Sequence, residues 1–264
     1  MPDTVNVFDK PYDLESIRAS LEAAAFEAAS LEKAETKDGY TVSKFPDWTY
    51  DIEPYYERLR CTAVSLYSSL LPHLMPSTEK ALKAGFEFAG IDRYKVKIID
   101  ANANVGCDSF FFELYSPGAH IALELCPDTY ALLCLNIKAM DSEVTAVNCN
   151  CVDYLRKEGA VRGAVVYFDP PWGGPDYHLQ KRLPLHLCND AGERVPIQNI
   201  VVRALDDGAA AVVVKVPTNF DYAPFAAFVG QVAQLRTYYI TKGRGRAKAA
   251  VYRLIFIARR LAAA

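Results

Sequence analysis

Nowhere in the 264-residue chain does an apolar run approach the ~18 residues that a membrane helix needs, and the opening MPDTVNVFDK has no basic stretch leading into an apolar core. Neither a membrane span nor export is expected. A CxxC pair is missing as well. The seven cysteines stand at 61, 107, 126, 134, 149, 151 and 188, odd in number and without the spacing of a His/Cys metal site. They read as reduced core thiols of a nuclear or cytoplasmic protein that holds no metal. Cys149 and Cys151 are expected on one face of a strand. An excess of basic charge is also lacking: 29 Lys and Arg face 32 Asp and Glu, for a net charge of −3. This excludes a generally basic nucleic-acid binder, so any RNA contact must be local, and KGRGRAK at 242–248 is the local patch.

What is present is apolar content, 51%, enough for one α/β domain with a large core. Residues 1–75 read as a helical extension, with helical spacing over 13–34 and 54–71 and the aromatics Tyr40, Phe45, Trp48 and Tyr50 between them. Residues 76–264 read as the catalytic domain. A helix with Ser77 at its cap and Glu79 in its first turn runs to Gly90. From Lys95 strand and helix signals alternate, the pattern of a doubly wound parallel sheet. Strands are expected over 95–100, 120–125, 144 to about 154, 165–168 and 210–217, and a closing antiparallel pair over 234–240 and 250–259. Between the last two parallel strands lies a long polar loop from Leu179, then a helix ending at Leu205.

The chemistry is expected where the run VVYFDPPWGGPDY at 165–177 ends. A buried strand stops there at an acid, two prolines, a tryptophan and two glycines. The prolines remove two amide donors, so the carbonyls of Asp169 and Pro170 join the Asp169 carboxylate in an acceptor-only cluster suited to an exocyclic amine on a nucleobase. Trp172 offers a face for stacking, which Gly173 and Gly174 leave open.

These residues carry a resemblance. DPPW at 169–172 resembles the [D/N/S]PP[Y/F/W] motif of S-adenosylmethionine-dependent methyltransferases acting on amino groups. PPWGGPDY at 170–177 is similar to the segment that marks the trimethylguanosine synthase family, which methylates N2 of an m7G RNA cap. The resemblance implies a class I methyltransferase, Rossmann-like, with a mixed seven-stranded sheet and the N-terminal helical extension. It implies S-adenosylmethionine as cofactor and m7G-capped RNA as partner; the sequence leaves the oligomeric state open, with a monomer expected. Asp100, Ala101, Asn104 and Gly106 would form the cofactor's turn and Glu124 would take the ribose hydroxyls. Asp153 would face the adenine with Tyr154 stacked on it, and Ser77 would stand near the cofactor.

Asp169, Pro170 and Trp172 would be catalytic, with Pro171, Tyr177, Thr218 and Asn219 completing the substrate site. Three positions depart from the family. Asn104 and Cys107 replace glycines, and Cys107 is expected to crowd the ligand. Thr218 stands where the family has a phosphate-gripping arginine. Aspartate at 169, where the family usually has serine, keeps an N6-adenine methyltransferase as the alternative; the lost glycines keep a cap-binding protein without activity.

Overall fold

The computed structural model describes residues 75–242 and 249–259. The helices expected over 13–34 and 54–71, the aromatic cluster between them and residues 243–248 of the basic patch lie outside the described residues. Helix α1, Met75–Ala89, ends at Gly90, whose φ of 67° only glycine adopts freely. It lies so close to the sheet that a Cβ on Gly85 would stand 2.2 Å from the Phe256 ring. Any larger residue at 85 would lift the helix off the sheet.

The first half of the sheet is parallel. Strand β1 is Ile98–Asp100, β2 Ile121–Glu124, β3 Thr145–Asn148 and β4 Val165–Phe168. Between them come helices α2, Cys107–Tyr115, α3, Pro127–Met140, and α4, Cys151–Leu155. Pro127 occupies the first turn of α3, where its missing N–H costs nothing. After β4 a 3-10 turn covers Pro175–Leu179, followed by the hairpin strands β5, His186–Cys188, and β6, Arg194–Pro196. Helix α5 is Ile197–Asp206, β7 Ala211–Pro217, α6 Tyr222–Val229, β8 Ala233–Lys242 and β9 Ala249–Arg259.

The main sheet has the order β3-β2-β1-β4-β7-β9-β8. All pairs are parallel up to β7; β9 is antiparallel to both β7 and β8. Strands β4 and β7 are buried at every position, which explains the all-apolar VVYF of β4 and an AVVVKVP in β7 that is apolar except for Lys215. One face carries Val166, Phe168, Val212, Val214 and Ile255, packed against α5 and α6 residues such as Val201 and Phe225. The other carries Tyr167, Val213, Leu254 and Phe256, packed against Leu82 and Phe86 of α1 and Phe111 of α2. Each of these aliphatic or aromatic side chains contributes ~1.5–3 kcal/mol by leaving water. No helix among the described residues is long and apolar enough to cross a membrane.

Four sequence expectations are corrected. The third strand ends at Asn148, not near Tyr154, because the Asn150 side chain accepts the Val152 N–H and starts a helix. Cys149 and Cys151 therefore do not share a strand face: Cys151 is buried in α4 and Cys149 precedes it, half-buried. The polar stretch from Leu179 is not a bare loop but contains the β5–β6 hairpin. First and second strands are shorter than the expected 95–100 and 120–125, beginning at Ile98 and Ile121.

Candidate active site

Parallel strands deliver their carboxyl ends to one edge of the sheet, and there the chemistry-bearing residues gather. The turn after β1 is built by backbone requirements. Asn104 takes φ 51°, a left-handed conformation that asparagine tolerates, and its Oδ1 accepts the Val105 N–H. Gly106 has φ 98° and opens α2; a Cβ there would meet Leu133 at 2.7 Å. Asn136 of α3 ties the turn from behind, donating Nδ2 to the Val105 carbonyl. Ala101 is buried and donates its N–H to the Tyr167 carbonyl. The crowding expected of Cys107 does not occur: its side chain turns into the core against Val105 and Leu132.

Glu124 closes β2 and accepts the N–H of Asn104 at Oε2 and that of Cys126 at Oε1, 2.9 and 2.8 Å away. Burial raises its pKa, and those amide bonds oppose the rise. Each oxygen keeps a second lone pair for a hydroxyl. Asp100, 2% exposed, accepts the Ser109 hydroxyl at 2.6 Å and the Asn102 N–H. Burial and the neighbouring Asp108 push its pKa up to about 8, so at pH 7 it is mostly the neutral acid.

The structure does not bring Asp153 to a strand end. It sits within α4, where Oδ1 pairs with Arg156 and Oδ2 accepts the Asp190 N–H of the hairpin. Tyr154 is half-buried with Lys157 Nζ 5.2 Å above its ring. Asn150 ties the same hairpin, donating Nδ2 to the Cys188 carbonyl. Ser77 lies in the first turn of α1.

At the end of β4 the acceptor-only expectation needs correction, because a lysine stands behind the carboxylate. Lys215 Nζ lies 2.8 Å from Asp169 Oδ2 and 3.0 Å from Asp108 Oδ2, and Asp108 also accepts the Tyr167 hydroxyl. Asp169 Oδ1 and the Asp169 and Pro170 carbonyls accept no hydrogen bond from the described residues. Burial, and the second carboxylate of Asp108, raise the Asp169 pKa to about 6 against the opposing pull of Lys215. Burial would lower the Lys215 pKa, but Asp108 and Asp169 outweigh it and hold the ammonium well above its ordinary value. A lone lysine inside the otherwise apolar AVVVKVP of β7 was the available signal for this group.

Pro170 is buried and Pro171 exposed. Trp172 is half-buried between the two core clusters, edge-on to Tyr177 with ring centroids 5.2 Å apart, and its indole Nε1 has no partner among the described residues. A Cβ added at Gly173 or Gly174 would meet nothing within 4 Å among the described residues. Asn219 donates Nδ2 to the carbonyls of Tyr177 and Gln180, both at 2.8 Å. Thr218 is exposed, and the same β7 end is held by Arg253, whose Nη2 donates to the carbonyls of Pro217, Thr218 and Phe220.

The strand order with its antiparallel β9, and the acid-bearing turn after β1, define a class I methyltransferase. Residues 95–252, more than half of the chain, match the model of the family described as RNA cap guanine-N2 methyltransferase, and the chain belongs to that family. A curated relative, an uncharacterised protein of Acanthamoeba polyphaga mimivirus, is 30% identical over 150 residues. That match spans 56% of this chain and about half, 54%, of the relative's length. Similar solved structures include the N2 methyltransferase RsmC of T. thermophilus 16S rRNA, in complex with AdoMet and guanosine. It is 16% identical, with 74% of this chain and 45% of that one covered, at a TM-score of 0.48. Precorrin-6y C5,15-methyltransferase from Geobacter metallireducens is 14% identical, with 75% and 94% covered, at 0.48.

The cofactor of this class is S-adenosylmethionine, and the residues present fit it. The turn at 104–106 has the left-handed backbone a close approach requires, and Glu124 keeps acceptor capacity at the end of β2. The buried Asn102 Oδ1 beside them has no partner among the described residues. Bound there, the cofactor supplies a methyl group on a sulfonium.

Proposed function

We propose that this chain methylates the exocyclic N2 of the m7G cap of RNA, with S-adenosylmethionine as donor. The observation that supports the reading is that Oδ1 of Asp169 and the carbonyls of Asp169 and Pro170 accept no hydrogen bond from the described residues, next to Trp172 and the two glycines that follow it. The amine lone pair is delocalised into the ring, so transfer requires the amine to be turned while acceptors hold its hydrogens. Asp169 Oδ1 and the Pro170 carbonyl do this. The N–CH3 bond forms as the S–CH3 bond breaks, the sulfur keeps that electron pair, and the surplus amine proton leaves through Asp169 or water. Glu124 takes the ribose hydroxyls, and Asp100, Ala101, Asn104 and Gly106 shape the pocket for the methionine portion.

Trp172 stacks on the m7G ring, whose positive charge adds a cation–π contribution of ~1–2 kcal/mol. Tyr177, packed on Trp172 and bonded by Asn219, would complete the substrate site together with Asn219 and the exposed Pro171 and Thr218. A nuclear or cytoplasmic location is where capped RNA would be met. One observation favours a second reading, an N6-adenine methyltransferase: residue 169 is aspartate, as in the adenine enzymes. The deciding experiment incubates purified protein and labelled S-adenosylmethionine with m7GTP, GTP and adenine-containing RNA. Label on N2 of m7GTP supports the cap reading, and label on adenine alone overturns it.

A further inference from the structure

The Lys215 side chain is the buried charge that this mechanism leaves unused. It is 8% exposed, rises from β7 on the α1–α2 face of the sheet, and reaches the one carboxylate assigned to the reacting amine. Resting on that assignment of Asp169, we infer that Lys215 is a positioning residue: by holding Oδ2 of Asp169 it keeps the carboxylate ionised and turned so that only Oδ1 faces the substrate.

Three elements besides its own strand face the ammonium. From α2, Asp108 takes a second N–H at 3.0 Å and is itself fixed by the Tyr167 hydroxyl of β4 at 2.8 Å. From β9, the Tyr252 ring lies 5.1 Å from Nζ, and its hydroxyl meets Thr78 of α1 at 2.8 Å. Asp100 at the end of β1 acts on the two aspartates rather than on the ammonium, as a neighbour of Asp108 and Asp169. Asp108, Asp169 and Tyr252 thus surround the three donors of the ammonium.

Charge explains why the arrangement is needed. Two carboxylates sharing a buried site repel, and one of them binds a proton near neutral pH unless a cation intervenes. A protonated Asp169 would present a hydroxyl to the amine, a donor facing a donor. The lysine therefore lets a carboxylate do acceptor work in a pocket that would otherwise neutralise it. It also leaves the cluster with one net negative charge when both aspartates are ionised, which favours a cationic base over a neutral one.

Opposite responses from two variants test the role. Carboxyl titration by 13C NMR, with the Asp169 signal assigned by its loss in Asp169→Asn, needs no substrate. Lys215→Met should move the Asp169 midpoint up by at least about one pH unit, which is tenfold in proton affinity. Asp108→Asn, which removes the repelling charge, should move it down. Lys215→Arg should stay near the wild type and guards against a methionine variant that fails to fold. In turnover with m7GTP, Lys215→Met should lose roughly tenfold or more at pH 7 and regain it as pH rises.

A midpoint unmoved in Lys215→Met, or moved in the same direction by both variants, overturns the inference. These titrations can succeed where m7GTP is not a substrate, so loss of the cap reading and loss of the positioning role are separately visible.

Discussion

Asn219 donates its side-chain amide to the carbonyl of Tyr177, 42 positions earlier in the chain, and to that of Gln180. The end of β7 thereby sets the position of the ring that packs edge-on against Trp172. Asn219→Ala removes two neutral hydrogen bonds of ~0.5–1.5 kcal/mol each, so the Michaelis constant for m7GTP should rise roughly tenfold, with a smaller change in turnover. Steady-state kinetics checks this; a fall in turnover alone would contradict it.

For the cofactor, Glu124→Ala should weaken S-adenosylhomocysteine binding roughly tenfold to a hundredfold by calorimetry, the loss of charge-assisted bonds worth ~1.5–3 kcal/mol. An unchanged dissociation constant would remove the ribose role. Cys107→Gly should leave that binding unaltered, since the thiol packs against Val105 and Leu132, and should lower thermal stability instead.

Trp172 has a double attachment, to both core clusters and to the open side marked by Gly173 and Gly174. From the sequence, truncation would cost little stability. With the ring half-buried, Trp172→Ala should cost a measurable part of the ~3–5 kcal/mol expected for a fully buried aromatic. Trp172→Leu, which keeps apolar packing, should fold and yet lose most of a roughly tenfold preference for m7GTP over GTP. Fluorescence quenching titrations read the preference; equal quenching by both nucleotides in the wild type would remove the cap.

The pH profile follows from Asp169. An acceptor must be ionised, so turnover should fall as pH drops through about 6 and be flat above it. Asp169→Ser should lack this limb while keeping activity. The sign for stability is opposite. With the folded value of about 6 above the ordinary 3.8, the stability contributed by this group is fully present below 3.8 and is lost as pH rises through 6. Thermal melts across that window, compared with Asp169→Asn, should show the wild type losing more on the alkaline side.

The strands were legible because β4 is a continuous apolar run and β7 is apolar except for Lys215, and the prolines and glycines that follow β4 marked where the candidate site is expected. Asp100, Glu124 and Asp169 do stand at strand ends, as alternation predicts. Asp153 does not, because the Asn150 cap begins a helix three residues before it, a local side-chain competition that strand propensity ignores. Cys107 was misjudged because spacing gives a position in a loop but not the side of the backbone from which Cβ leaves. Lys215 and Asp108 were missed for a further reason: their contact joins residues 107 positions apart, and only the sheet order brings them together.

The position of β9 between β7 and β8 has a consequence for how the molecule is made. During synthesis β8 leaves the ribosome before β9, the strand it pairs with in the sheet, so it has no strand partner until β9 has emerged. Its ten residues must wait as an unpaired edge, a state prone to association with other chains. Tyr252, the ring beside Lys215, arrives on that same late strand. A nascent chain therefore cannot complete the surroundings of Lys215 and Asp169 until β9 has been threaded into place between β7 and β8.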